Sequence, residues 1–147
     1  MSLIRLTGIW MIVVLAVGCD SNRLDELSHA AVMRTCGPAD GPAVAILLAS
    51  SPVEFTDPTP PYVRIYIAEQ LETLAGRSWT VGGSEAEAGA WYQRTSTDRE
   101  SALDGQVSVI TVGADNSIEG SVDITFSNGR IQDAFRARFV ATNQLCP

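Results

Sequence analysis

From residue 106 onward, apolar side chains fall on every second position, and this alternation constrains the fold more than any other feature. In 117–126, Ile118, Gly120, Val122, Ile124 and Phe126 alternate with Glu119, Ser121, Asp123 and Thr125. In 133–141, Phe135, Ala137 and Phe139 alternate with Arg136 and Arg138. With QVSVITV (106–112), these segments predict three antiparallel strands with one apolar and one wet face. The links are GADN (113–116) and SNGR (127–130), and Asn128-Gly129 predicts a type I′ hairpin with positive φ at both central positions. Arg136 and Arg138 are expected to pair across strands with Asp123 or Glu119, at about 0–1 kcal/mol per exposed pair.

The first half carries the same period. AVAILLA (43–49) is an apolar run suited to a strand covered on both faces. SSPVEFTDPTPP (50–61) holds four prolines, which remove ladder donors and predict a loop. In YVRIYIA (62–68), Val63, Ile65 and Ile67 face one way and Tyr62, Arg64 and Tyr66 the other. EQLETLAGR (69–77) is ambiguous: Leu71 and Leu74 have helical spacing, and Gly76 suits the stop of a single helical turn or two. SWTVGG (78–83) and AWYQRT (90–95) read as strands around the acidic loop SEAEAG (84–89). The fold class expected is all-β, an antiparallel sandwich or barrel-like sheet of about six to eight short strands.

The N-terminus is different. Arg5 precedes an uncharged apolar run, Leu6 to Val17. As a helix, such a run rises only about 18 Å, against a bilayer core of roughly 30 Å. A basic start, a short apolar run and small residues after it describe a secretory signal peptide. Ala16-Val17-Gly18-Cys19 resembles the lipobox of bacterial lipoproteins. That resemblance implies a diacylglyceryl group on the Cys19 sulfur and cleavage between Gly18 and Cys19. It also implies a domain held outside the cytoplasm on the membrane of the cell envelope. Two or three acyl chains suffice for stable anchoring, at about 0.8 kcal/mol per buried CH₂. Asp20 resembles the inner-membrane retention signal of some bacteria, a rule that differs between lineages. Read without the resemblance, the run is a short apolar helix ending in a cysteine.

The organisation expected is therefore a removed signal peptide (1–18), a lipidated cysteine and tether (19–35) and a β domain (36–147). Helix is one reading of the tether, with Asn22 as cap and Leu24, Leu27 and Ala31 on one face leaning on the domain. Within 36–147, the run G-x-V-x-I-x-F-x-x-G-R, then F-x-A-x-F and a terminal L-C, looks like small β domains of bacterial envelope lipoproteins. Those motifs are structural and carry no active site.

Removing residues 1–18 leaves 129 residues with 9 basic and 17 acidic side chains, a formal charge of −8. All the basic residues are arginine. This balance argues against nucleic acid and against electrostatic docking on anionic lipid. With Cys19 assigned to lipid, Cys36 and Cys146 remain as an even pair in an oxidising compartment. A bridge between them closes a loop worth about 4–5 kcal/mol in the chain-entropy model. The alternative is two buried free thiols.

No catalytic constellation emerges. The single histidine, His29, lies in the tether, where a solvated ring is expected, so a Ser-His-Asp triad lacks its base. Glu54 with Asp57, and Glu85 with Glu87, are paired carboxylates on paper, but both pairs fall in polar loops. ADNSIEG (114–120) lacks the alternating oxygen ligands of an EF-hand loop and reads as a turn. No zinc set, cofactor motif or phosphate loop is present. The aromatics support one hypothesis: Tyr62 and Tyr66, with Trp79, Trp91 and Tyr92, either form an exposed contact surface or, for the tryptophans, fill the core.

The function expected is a lipid-anchored envelope protein, not an enzyme and without cofactor. Its β domain binds another envelope protein or a glycan, with Tyr62 and Tyr66 as candidate contacts, or contributes to envelope structure. The alternative is a carrier of a small apolar ligand inside a closed, lipocalin-like barrel.

Overall fold

The computed structural model describes residues 24, 26–37, 40–54 and 57–141. The expected signal peptide (1–18), Cys19, Asn22 and Cys146 lie outside the described residues. The described chain is all-β. Its strands are β1 (His29–Cys36), β2 (Pro42–Ala49), β3 (Tyr62–Ile67), β4 (Arg77–Thr80), β5 (Ala88–Gln93), β6 (Arg99–Ser101), β7 (Asp104–Val112), β8 (Ile118–Phe126) and β9 (Gly129–Phe139). They form one nine-stranded sheet in the order β4-β7-β8-β9-β1-β2-β3-β5-β6, curled into a half-barrel.

The nine strands exceed the six to eight expected, and the sheet is not wholly antiparallel. β1 runs parallel to β9, with Ala31 opposite Arg138 and Val32 opposite Phe139, while its other neighbour β2 is antiparallel. β1 thus joins the C-terminal meander β7-β8-β9 to the β2-β3-β5-β6 half. Alternation within a strand assigns faces, not neighbours, so the direction of this long-range pairing was not in the pattern.

The tether boundary at residue 35 also moves. Residues 29–35 belong to β1, and Leu24 N–H donates to the Arg130 carbonyl at 3.1 Å. No α-helix forms among the described residues; pairing along β1 overrides the helical spacing of Leu24, Leu27 and Ala31. Leu24 and Leu27 do pack against the core, as a leaning tether would. Residues 69–77 hold a short 3₁₀ turn, Leu71–Thr73, which buries Leu71.

The inner faces meet in a continuous apolar core, including Val32, Ile46, Ile65, Leu71, Trp79, Ile118, Ile124 and Phe126. β2 is buried on both faces, as its unbroken apolar run requires. Val44, Ile46 and Leu48 enter the main core, while Ala45, Leu47 and Ala49 join a second cluster with Ala31 and Val53.

The far ends of the sheet approach each other. Val81, just past β4, bridges Ala88 at the start of β5, and Leu103 N–H donates to the Thr125 carbonyl at 2.9 Å. Gly82 sits at this seam with φ +78°, and a Cβ there would lie 2.5–2.7 Å from the Leu103 and Asp104 backbone. The seam therefore needs glycine for both its conformation and its closeness.

The β8–β9 hairpin differs by one residue from its expected turn. Phe126 pairs with Gly129, so Ser127-Asn128 form the loop, and neither has positive φ. Glu100, from β6, accepts hydrogen bonds from Ser127 Oγ and, at 2.9 Å, from Asn128 Nδ2. This tertiary hold competes with the local Asn-Gly preference.

Candidate binding face

The alternation of β3 and β5 sorts their side chains between core and exterior. Val63, Ile65 and Ile67 point inward with Ala88, Ala90 and Tyr92, all buried. Tyr62, Arg64 and Tyr66 point outward with Gly89, Trp91 and Gln93. Register then fixes the neighbours: Tyr62 opposes Gln93, Arg64 opposes Trp91, and Tyr66 opposes Gly89. β6 extends the face, with Ser101 opposite Trp91 and Arg99 opposite Gln93.

Two guanidinium groups stack on one indole. Arg64 Cζ lies 6.0 Å from the Trp91 ring centroid and Arg99 Cζ 4.3 Å. At an exposed site each such contact is worth about 0.5–1 kcal/mol and holds a flexible arginine in a defined place. The Tyr66 hydroxyl donates to the Cys36 carbonyl at 3.2 Å. Burial lifts the Tyr66 phenol above its ordinary value, so it remains a protonated donor at neutral pH. Tyr62 packs against the second apolar cluster. Both tyrosines are half-buried on the outer face.

The structure divides the aromatics named from sequence. Trp79 is a core residue at 3% exposure, its Nε1–H donating to Glu69 Oε1 at 2.9 Å. Tyr92 is buried at 2% against Phe126. Trp91 alone of the three joins Tyr62 and Tyr66 outside. The alternation Ala90-Trp91-Tyr92-Gln93 held this division, since Tyr92 shares a face with Ala90. What the pattern lacked was the arginine pair, because Arg99 sits on a three-residue strand with no apolar period.

The opposite outer face has a different character. β7 and β8 present Asp104, Gln106, Ser108, Glu119, Ser121, Asp123 and Thr125. Arg136 pairs with Glu119 at 3.4 Å, one of the expected cross-strand pairs. Asp123 is instead held by Arg130, both bonds at 2.6 Å, while Arg138 donates to the Val53 carbonyl at 3.0 Å. An open hollow of about 390 Å³ beside Asp123 is lined by Asp104, Gln106, Thr125 and Arg130. The Arg130 hydrogen bonds keep the Asp123 carboxyl below its ordinary value despite some desolvation.

A depressed folded-state value means the Asp123–Arg130 stabilisation is present above the unfolded carboxylate range near pH 4. It is lost as pH falls through the lower folded value. We expect Asp123→Asn to flatten the fall in thermal midpoint between about pH 4 and pH 2, by no more than about 1 kcal/mol for so exposed a pair. Midpoints recorded across that range for both chains test this; parallel curves would contradict it.

The remaining candidates are dispersed. His29 is exposed at the start of β1, and Glu54, Asp57, Glu85 and Glu87 are exposed. Glu87 accepts from the Thr80 backbone N–H at 3.1 Å, which closes its loop. Asp115 accepts from Ser117 N–H at 3.1 Å and Ser117 Oγ at 2.6 Å within the 113–117 turn. No group of three or more metal-ligating side chains occurs among the described residues. Among those residues, too, no helix is long and apolar enough to cross a membrane. Cys36 ends β1, and its expected partner Cys146 lies outside the described residues. No family model matches the chain, and neither a curated protein nor a solved structure matches it.

Proposed function

We propose that this chain is a lipid-anchored cell-envelope protein whose β domain acts by binding, without catalysis, through the outer face of β3, β5 and β6. The observation that carries the binding role is the arrangement of Tyr62, Tyr66 and Trp91 on one face, with Arg64 and Arg99 stacked on the indole. The continuous core between the inner faces favours an external ligand over one held in a lumen. The anchor rests on Ala16-Val17-Gly18-Cys19, which would leave the domain tethered at Cys19. A Cys36–Cys146 bridge belongs to the same proposal.

The test is co-sedimentation of the full-length chain, kept in non-ionic detergent, with envelope fragments purified from its host. The wild type is expected to sediment with them. Trp91→Ala, and separately Tyr66→Ser, should weaken retention by about tenfold, the effect of truncating an anchor worth 1–2 kcal/mol. Each variant's thermal midpoint is recorded alongside. Absence of retention, or equal retention by folded variants, would remove this face from the account.

A further inference from the structure

We infer that the ligand of this face is an anionic polysaccharide, its sugar rings lying on the tyrosines and its acidic groups met by Arg64 and Arg99. The inference rests on the binding role proposed above and specifies its chemistry.

Charge is the first argument. The chain carries 17 acidic and 10 basic residues. Yet the outward positions of β3, β5 and β6 include no carboxylate: Tyr62, Arg64 and Tyr66, then Gly89, Trp91 and Gln93, then Arg99 and Ser101. Asp104, Glu119 and Asp123 are displayed on the other half of the sheet. The molecule as a whole repels a polyanion, so attraction has to come from this local patch. Stacking on Trp91 fixes both guanidinium groups before a ligand arrives, which lowers the ordering cost of binding.

Shape is the second. Tyr62, Arg64 and Tyr66 are successive outward residues of one strand, so they repeat roughly every 6.7 Å along a nearly straight row. An aromatic–cation–aromatic row of this kind suits an extended chain that alternates ring faces and acidic groups. Beside it, Gly89 is exposed, and a Cβ there would meet nothing closer than Tyr66 Cβ at 3.9 Å. A shallow notch is therefore open next to Tyr66 and Trp91.

Polarity is the third. A protein partner would be expected to cover a desolvated apolar anchor. The exposed large apolar residues of the described chain are Leu103, at the β6–β7 corner, and Ile110, at the irregularity in β7. Neither occupies this face. Half-buried aromatic residues beside arginines stacked on Trp91 match a sugar polymer better.

Native affinity electrophoresis tests the inference, using the full-length chain in non-ionic detergent. Polygalacturonate in the gel should retard the wild type, neutral dextran should not, and added salt should reduce the effect. Arg64→Gln with Arg99→Gln should weaken retardation by about tenfold or more, since charge-assisted contacts are lost. Arg130→Gln with Arg136→Gln changes net charge equally on the opposite face and should leave retardation intact. Trp91→Ala should also weaken it. No retardation by polygalacturonate, equal retardation by dextran, or an unchanged Arg64/Arg99 variant would each overturn the inference. If polygalacturonate fails while envelope fragments still retain the wild type through Trp91, only the ligand class falls. If both fail, the binding face falls with it.

Discussion

Gly120→Ala is expected to lower the thermal unfolding midpoint by roughly 10 °C, the effect of overpacking worth about 3 kcal/mol in a domain this size. Gly120 is the third residue of β8, buried, opposite Val109 on β7 and Phe135 on β9. A Cβ there would run into the Ser108 carbonyl oxygen and stand 2.7 Å from Phe135 Cζ. The carbonyl is backbone of the neighbouring strand and has nowhere to go without breaking the ladder, so the strain cannot be relieved by a rotamer change. Gly89→Ala is the matched control. It also lies in a strand, but its Cβ would make only ordinary contact with Tyr66, and its midpoint should stay within about 2 °C of wild type. Thermal melts of both variants decide the matter. A Gly120→Ala midpoint close to wild type would mean that β7, β8 and β9 do not pack as described.

Trp79→Ala is expected to cost about 3–5 kcal/mol, the range for removing a large aromatic from a core. The indole is packed in the main cluster, and its N–H is satisfied by Glu69. Deletion would leave a void beside Val81 and Val107 and would strip Glu69 Oε1 of its indole donor, while Arg77 still holds the other carboxylate oxygen. Trp91→Ala should cost only about 1 kcal/mol, because the residue is half-buried and its ring partners are Arg64 and Arg99 on neighbouring strands. Chemical denaturation of the two variants separates them. Similar losses would contradict the division of the tryptophans between core and outer face.

That division illustrates what the sequence could and could not convey. Where a strand buries one face and wets the other, as in β3 and β8, each side chain's direction was readable from period two alone. The two-sided burial of β2 was equally plain from its unbroken apolar run. Features set by non-adjacent partners were not. β1 reads as a tether because His29, Arg34 and Thr35 interrupt its apolar pattern, and only β2 and β9 on either side make it a strand. β6, Arg99–Ser101, has no apolar residue and exists through pairing with β5. The hairpin at Ser127-Asn128 answers to Glu100, a residue far away in sequence.

The candidate face was half legible for the same reason. Tyr62 and Tyr66 share a face by spacing within one strand, which sequence shows directly. Their company with Trp91 and Arg99 depends on the β3–β5–β6 register, which follows from long-range pairing. The acidic opposite face followed from the alternation of β8, although Asp123 chose Arg130 over the two arginines first considered. Across-strand geometry near the hairpin end places Arg130 two positions from Gln132, the residue opposite Asp123. A diagonal pair of that kind lies within reach of a long side chain.

The central claim, a tethered domain with a filled interior and an external binding face, is tested most directly by one mass measurement. The protein is extracted from its host membrane and weighed under native and then denaturing conditions. The expected denatured chain begins at Cys19, carries acyl mass and lacks two hydrogens for a Cys36–Cys146 bridge, and the native spectrum shows no apolar passenger. A chain beginning at Met1 or Ser2 without lipid would contradict the tether. An apolar ligand that persists only in the native spectrum would contradict the filled interior and point to a carrier instead.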